Sequence, residues 1–316
     1  MGWYGGHRAA TAAVFLTVLG CCAFGAFTAT ADDPVPPAES LKLIFIHHSC
    51  GENWLSDEDG GLGIALRDNG YFVSDTNYGW GPVCEACENC WGAIGDCTDI
   101  VHWDDWFIGS ADVPDALYHE FGQGSWYSRS EDPDPARENE IVLFKSCYPN
   151  SNLGGNPDDP PMPNDEGLTV GRAKAVYLDL LEHFATRRDK LFVAITAPPV
   201  LRGDSWENPA NARAFNDWLV DEWLAEYPYD NVAVFDLYHV LTSNGGDSTT
   251  NDAGWETGNH HRWWNGAMQH VQTVDCDLSA YADGDSHPTA AGNRKATAEF
   301  VPLLNVFVRR WLGSEG

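Results

Sequence analysis

Five short apolar runs, set apart from one another along the chain, constrain the fold more than any other feature. They are rich in branched and aromatic side chains, and such runs predict strands. The five candidate strands are Leu41–Ile46, Tyr71–Ser74, Ile141–Phe144, Leu191–Ile195 and Val232–Phe235. Runs with little polar alternation are typical of parallel strands that are buried on both faces.

Candidate helices separate or follow these strands. They are predicted over about Leu62–Asn69, Val170–Arg187, Ala210–Glu226 and Thr289–Leu312, and the second and third carry their apolar residues on one face. Strands that alternate with helices predict an α/β fold, in which helices cover both faces of a parallel sheet. We therefore predict a flavodoxin-like, three-layer α/β/α sandwich with a central, mostly parallel sheet of about five strands. Functional sites in such sheets lie at the carboxyl ends of the strands.

The N-terminal segment 1–31 has the pattern of an export signal. An apolar stretch runs from Ala9 to about Phe27, and Ala29–Ala31 then matches a small-x-small cleavage site. Two alternatives stay open: the residues before Cys21 resemble a lipobox, which predicts a lipid-anchored N-terminus, and the apolar stretch could remain uncleaved as an anchor. With cleavage at the small-x-small site, we expect a secreted or extracytoplasmic protein.

Beyond the signal, the sequence predicts a Pro-rich linker at 32–40 and one domain at 41–316. The domain carries a segment at about 75–140 that is rich in cysteine, glycine and aromatic residues and has little periodicity, which predicts a loop insertion. No later stretch is long and apolar enough to span a bilayer, so no transmembrane segment is expected in the mature chain.

The chain has nine cysteines, and seven remain after the predicted cleavage because Cys21 and Cys22 precede it. Four of the seven lie in the segment Cys84–Cys97. In an exported protein such clusters predict disulfides, and an odd number leaves one thiol unpaired. The alternative is a zinc or iron–sulfur site, since the first three cysteines of this segment follow a Cys-x-x-Cys-x-x-Cys pattern.

The charge balance restricts the partners. There are 47 Asp and Glu residues against 18 Lys and Arg residues, which gives a formal net charge of -29. Such a surface repels nucleic acid and anionic lipid, so neither is expected as a partner. Because the acids are spread over many loops, they indicate solubility, or a salty or calcium-rich exterior, rather than one acidic binding patch.

Two polar segments at opposite ends of the domain carry the candidate chemistry. Ser49 follows the first strand within His-His-Ser-Cys-Gly, and a hydroxyl at the carboxyl end of a strand is well placed as a nucleophile. His287 precedes the last helix, with Asp285 and Asp283 two and four residues before it. A loop histidine beside a carboxylate is the arrangement that a general base needs. The structural alternatives are a serine that caps a turn and a loop that caps a helix.

Together with intervening motifs, these segments resemble the SGNH (GDSL-like) hydrolase superfamily, with this chain as a divergent member. The resemblance extends from about Leu41 to Trp311. It is carried by the serine after the first strand, a Gly-rich turn after the second, an Asn-bearing loop after the third, and a C-terminal Asp/His pair followed by Pro-Thr-Ala-Ala-Gly. It implies a serine ester hydrolase in which Ser49 is the nucleophile, His287 the base and Asp285 the acid that orients it.

The resemblance also implies the groups that bind the oxyanion. The turn Asn-Tyr-Gly-Trp-Gly after the second strand is similar to the family's Asn-x-Gly turn, which makes Gly81 the candidate backbone donor and Gly79 the alternative. The loop after the third strand makes Asn150 the candidate amide donor and Asn152 the alternative.

The sequence departs from the family pattern in three places. The nucleophile turn lacks the usual Gly-Asp-Ser, and the loop after the third strand lacks its glycine. The family's acid lies three residues before the histidine, where this chain has Gly284. Asp285 or Asp283 must then supply the carboxylate.

Aromatic residues and histidines near these segments are candidate substrate-binding groups. We predict substrate contacts for His48, Trp80 and Trp263. Tryptophans also cluster in the early loops, where stacking on a sugar ring and packing under the loop are both open explanations. These tryptophans are Trp54, Trp80, Trp91, Trp103 and Trp106.

The sequence therefore predicts an exported serine esterase that needs neither metal nor other cofactor and acts on a small-molecule or polysaccharide acyl ester, in particular acetylated carbohydrate. Two alternatives come from other classes. The first is a non-catalytic, exported carbohydrate-binding or structural protein on a hydrolase scaffold. The second is a metal-dependent hydrolase whose ligands come from His47, His48, Asp285 and His287.

Overall fold

The computed structural model describes residues 1–2, 34–201 except 86, 89 and 91, and residues 203, 208–242, 261–264, 267–270 and 277–314. The predicted export signal from residue 3 onward lies outside the described residues, and so do Trp91 and Cys276. For residues 261–264 and 267–270 the backbone alone is described.

Strands and helices alternate along the described residues. The strands are β1 (Leu41–Ile46), β2 (Tyr71–Thr76), β3 (Val83–Cys84), β4 (Gly92–Ala93), β5 (Ile141–Lys145), β6 (Leu191–Ile195), β7 (Val232–Phe235), β8 (His261–Trp264) and β9 (Ala267–His270). The helices are α1 (Ser49–Leu55), α2 (Leu62–Asp68), α3 (Asp112–Tyr118), α4 (Val170–Thr186), α5 (Pro209–Asp221), α6 (Leu237–Thr242) and α7 (Ala290–Ser314). In this part of the chain no helix is long and apolar enough to cross a membrane.

Five of the strands form the central sheet, in the order β2-β1-β5-β6-β7, and every neighbouring pair is parallel. The register places Leu41 opposite Tyr71 and Leu43 opposite Ile141. From β1 the chain passes to β2 on one side and then crosses to β5 on the other side, which is the flavodoxin-like order. This reversal places a crevice at the carboxyl ends of β1 and β5, where ligands bind in sheets of this kind.

Helices cover both faces of the sheet. Successive side chains of a strand point to opposite faces, and in β1 Leu43 and Phe45 join a buried cluster with α1, α2, α6 and α7. Ile44 and Ile46 join a second cluster with α3, α4 and α5. The predicted three-layer α/β/α sandwich around a five-stranded parallel sheet is therefore confirmed.

The predicted insertion at 75–140 is more ordered than a loop. It contains the β3-β4 hairpin, α3 and several short helical turns, and it packs against the face that α4 and α5 cover. Its four cysteines pair as Cys84–Cys87 and Cys90–Cys97. Aromatic side chains from this segment fill the core beside the sheet, and the Phe107 ring meets the Phe144 ring edge-on at 5.3 Å.

Three of the tryptophans considered for sugar stacking are core residues instead. Trp54, Trp103 and Trp106 are each at most 1% exposed. Trp54 lies among Phe45, Phe235 and Phe300 under α1, and the other two pack within the insertion. For these three, packing in the core is the correct explanation, because large aromatic rings bury much apolar surface.

The element boundaries differ from the prediction in a few places. The helix predicted to continue to Glu226 ends at Asp221, and turns follow it. Helix α1 and the antiparallel pair β8-β9 were not predicted at all. Helix α1 is only seven residues long and contains a glycine, so its sequence has no helical periodicity to detect.

Candidate active site

Ser49 lies at the carboxyl edge of the sheet, as the first residue of α1. Two residues, His47 and His48, separate it from the end of β1, and His48 has an extended backbone. Cβ of a side chain at Gly51 would lie 2.3 Å from Cβ of His47, so the helix can approach the end of the strand only with glycine at that position. This sharp strand-to-helix turn presents the Ser49 hydroxyl at the crevice.

The loop before α7 brings His287 to the same place. Oγ of Ser49 lies 2.8 Å from Nε2 of His287, although 238 residues separate the two in sequence. The loop is fixed on both sides of the histidine: the Ser286 hydroxyl accepts a hydrogen bond from the Leu201 amide, and residues 282 and 288 form a β-bridge. The Tyr148 ring stands edge-on to the imidazole at 5.0 Å.

Asp285 supplies the carboxylate next to the imidazole. Its Oδ1 lies 3.1 Å from Nδ1 of His287 and also accepts the His287 backbone N–H at 2.8 Å. These contacts, the backbone one first, lower the pKa of the Asp285 carboxyl. With the ring hydrogen on Nδ1 donated to Asp285, Nε2 is left to accept the Ser49 hydroxyl hydrogen. The side chain of Asp285 is 62% exposed, so this contact orients the ring in partly solvated surroundings.

Gly284 explains why the acid lies two residues before the histidine. Its φ is +83°, in the left-handed region that favours glycine. The turn thus requires glycine where the resembled family has its acid, and Asp285 is the next residue along the chain. Of the two acids considered for this contact, Asp285 makes it, and no hydrogen bond between Asp283 and His287 is found among the described residues.

A buried polar network that the sequence did not predict lies under the nucleophile turn. His47 and Asp75, both 0% exposed, approach to 3.0 Å between Nε2 and Oδ2, and Nδ1 of His47 lies 2.9 Å from the His48 carbonyl oxygen. Ser125, Tyr127 and the Gly124 amide also donate to the Asp75 carboxylate. Burial alone would raise the pKa of Asp75, but these hydrogen bonds, from His47 first, lower it. The available signal was an acidic residue, Asp75, directly after the apolar run that predicts β2.

The residues expected to bind the oxyanion lie in loops near the crevice, and their donor roles stay predictions. The Gly79 amide donates to Asp96 at 2.8 Å, whereas Gly81 has a φ of +83° in an exposed turn. Asn150 is buried: its Oδ1 accepts from the Ile100 amide and its Nδ2 donates to Asp99. These contacts tie the loop after β5 to the insertion, and no hydrogen bond between Asn150 and Ser49 is found in the described residues.

The predicted substrate-binding residues differ in their surroundings. The His48 ring stacks on Tyr78 at 4.0 Å and contacts the Gly95 carbonyl oxygen through Nε2, and burial lowers its pKa. Trp80 is half-buried, stacks on Trp106 and donates its ring N–H to Glu120. Contacts within the insertion therefore account for much of the burial of the Trp80 side chain. The side chain of Trp263 lies outside the described residues.

The four residues of the metal alternative do not form a common ligand set. His47 faces Asp75 and His48 faces the Gly95 carbonyl, whereas His287 faces Ser49 and Asp285. Within the described part of the chain, ligand-type atoms come within reach of one ion only in the group Cys84, Cys87 and Asp105. The two cysteines of that group are joined in a disulfide.

No family model matches the chain, and no curated protein matches it in sequence. A solved structure described as a "putative acylhydrolase" of Bacteroides fragilis NCTC 9343 is similar in fold, with 13% identity over 87% of this chain and 91% of that chain and a TM-score of 0.41. A likeness this distant carries no inference about function, so the site is interpreted from its own geometry.

We expect the substitution Asp75→Asn to destabilise the protein by about 3 kcal/mol at pH 7, because an amide would place a donor against four donors. The lowered pKa means that the carboxylate stabilises the fold above the unfolded value of 3.8, and that this contribution is lost as the pH falls through the lower folded value. Urea unfolding of both proteins at a series of pH values measures the difference, which should shrink in acid.

The matched control is Asp68→Asn, because the Asp68 carboxylate is 59% exposed in a surface ion pair. Its effect should stay within about 0.5 kcal/mol. Equal effects of the two substitutions at pH 7 would show that the Asp75 network contributes nothing beyond an ordinary surface carboxylate.

Proposed function

We propose that this protein is a serine ester hydrolase that works by acyl transfer. The observation that carries the proposal is the continuous hydrogen-bonded line from Asp285 through His287 to Ser49 at the carboxyl edge of the sheet. A hydroxyl bonded to an imidazole that a carboxylate orients is the arrangement of an activated serine nucleophile. The resemblance of the motifs to SGNH hydrolases supports the same assignment.

Each of the three residues has a distinct role in the proposed reaction. Oγ of Ser49 attacks the ester carbonyl while Nε2 of His287 takes the hydroxyl proton. The imidazolium then gives this proton to the leaving alcohol, and in the second half-reaction the same nitrogen activates the water that releases the acid. Asp285 holds the ring in the required orientation and stabilises its charged form.

The oxyanion of the tetrahedral intermediate needs backbone or amide donors near Ser49. The Ser49 amide, at the first position of α1, is one proposed donor. Gly81 and Asn150 remain the proposed partners on the sequence resemblance, and their approach would require the loops after β2 and β5 to adjust when substrate binds.

The finer proposal is that the enzyme is exported and removes acyl groups, such as acetyl, from carbohydrate. The export pattern of residues 1–31 supports the location. Near the crevice, Tyr78 is 58% exposed and stacks on His48, and the Tyr148 ring borders His287. Aromatic rings with polar edges suit sugar rings, which present both C–H faces and hydroxyl groups.

We expect Ser49→Ala and His287→Ala each to lower kcat/KM for p-nitrophenyl acetate by about 10⁴-fold or more. Each substitution removes one of the two groups between which the proton passes. Asp285→Asn should lower kcat/KM by about 10²-fold, since the carboxylate is exposed and the His287 ring retains other contacts. Steady-state kinetics of the purified variants measure these effects.

The matched control is Asp283→Asn, an exposed acid in the same loop, which should stay within about twofold of the wild type. An Asp283→Asn variant as slow as Asp285→Asn would contradict the role given to Asp285. A Ser49→Ala variant that retains wild-type activity would refute the serine mechanism altogether.

For the substrate, we expect the wild-type protein to release acetate from acetylated xylan, and the Ser49→Ala variant to release none. Acetate is quantified enzymatically after incubation of equal amounts of each protein. If the protein hydrolyses p-nitrophenyl acetate but releases no acetate from the polysaccharide, the proposed esterase activity stands and acetylated xylan is excluded as its substrate.

A further inference from the structure

Two free cysteines that the reaction does not use lie beside the nucleophile. Cys50 follows Ser49 in α1, and Cys147 lies just after β5, so they face each other across the crevice where the strand order reverses. Both are buried and unpaired in the described structure. Their side chains approach closely enough for a hydrogen bond between the thiols.

The backbone holds these two sulfurs in place. The Cys50 amide donates to the Cys147 sulfur, and the Tyr148 amide donates to the Cys50 sulfur. The contacts are therefore reciprocal between the turn after β1 and the segment after β5. Two sulfurs held in this way have little freedom to lose when a bond forms between them.

The two thiols have opposite acidities. Burial raises the pKa of Cys50 well above its usual range. The hydrogen bond from Cys50, together with the fully buried ammonium of Lys145, lowers the pKa of Cys147 well below its usual range, although burial alone would raise it. Cys147 is thus the more acidic member of the pair and the better attacking group, because the thiolate is the nucleophile in thiol–disulfide exchange.

The Cys147 sulfur also contacts the proposed nucleophile, with 3.6 Å between Sγ of Cys147 and Oγ of Ser49. As an acceptor, the Cys147 sulfur competes with Nε2 of His287 for the single hydroxyl hydrogen of Ser49. The reduced pair therefore opposes the chemistry that the neighbouring residues are arranged to perform.

We propose that Cys50 and Cys147 form a third disulfide, and that the bridged protein is the active form. The Cys147 thiolate attacks one sulfur of an external disulfide and expels one thiol. The Cys50 thiol then loses its proton and attacks the resulting mixed disulfide, which forms the Cys50–Cys147 bond and releases the second external thiol. A disulfide sulfur is a weaker hydrogen-bond acceptor than a reduced cysteine sulfur, so the bridge frees the Ser49 hydroxyl for His287. The activity part of this inference rests on the proposed function.

The bridge is tested by peptide mapping of the full chain, independently of activity. The protein is treated with oxidised or reduced dithiothreitol, alkylated without further reduction and digested. We expect a Cys50–Cys147 cross-linked peptide after oxidation and two alkylated peptides after reduction. Two alkylated peptides under both conditions would overturn the bridge.

The effect on Ser49 is tested by the rate of p-nitrophenyl acetate hydrolysis in the two states. We expect reduction to slow the wild-type protein about tenfold. Cys147→Ala lacks the competing sulfur and should match the oxidised protein in both states. Cys50→Ala keeps the Cys147 sulfur beside Ser49 but cannot form the bridge, so it should match the reduced protein in both states. Equal rates of the oxidised and reduced wild-type protein would overturn the claim that the bridge activates it.

Two further variants isolate this pair from the other cysteines. The double variant Cys84→Ser/Cys87→Ser should keep the wild-type response to reduction, and Cys50→Ala/Cys147→Ala should lose it. A response that survives in the second double variant would assign the effect to other cysteines and refute the proposal. A protein that is cross-linked as expected but inactive in every state would instead refute the esterase function.

Discussion

The crevice between β1 and β5 is the constraint on which the site depends. Both faces of the parallel sheet are buried, so helices must cover each side and the chain must cross from one side to the other. The crossing separates the turns after β1 and β5, which leaves their carboxyl ends open to solvent. Ser49 lies three residues after the end of β1, and Cys147 lies two residues after the end of β5. Helix α7 packs against the same side as α1, which places the loop of His287 above them.

Beneath the half-buried Ser49 and His287 and the exposed Asp285 lies a second, buried polar layer. The Asp75 carboxylate accepts hydrogen bonds from four groups, and His47 connects it to the backbone of the nucleophile turn. Buried polar groups that are fully hydrogen-bonded make a structure rigid, because any displacement leaves a group without a partner. This layer therefore fixes the turn that presents the serine, whereas the Asp285 contact above it is open to water.

The sequence predicts the sheet well because its strands are buried on both faces and keep a strong apolar signal, as in Leu41–Ile46. The strands β2 and β5 continue one or two residues further than predicted because buried polar residues, Asp75 and Lys145, extend them. The pairing of Ser49 with His287 came from the resemblance to SGNH hydrolases, and the two side chains do lie within hydrogen-bonding distance. The choice between Asp285 and Asp283 required the left-handed turn at Gly284.

Other parts of the site could not be predicted, for physical reasons. The insertion has no periodicity, so nothing in its sequence shows that Trp103 and Trp106 fill the core while Tyr78 stays exposed. The engagement of Asn150 with Asp99 and the pairing of Asp75 with His47 are contacts between distant segments, which single-residue preferences do not encode. The same holds for Cys50 and Cys147, whose relation depends on the order of the strands.

The central claim is that Ser49 is a nucleophile whose proton passes to His287. Labelling with a fluorophosphonate probe, followed by peptide mapping, tests it most directly because the probe reacts with activated serines and leaves a covalent mark. We expect one modified peptide containing Ser49 in the wild-type protein, and none in the His287→Ala variant. Modification of a different serine, or equal labelling of Ser49 without His287, would contradict the claim.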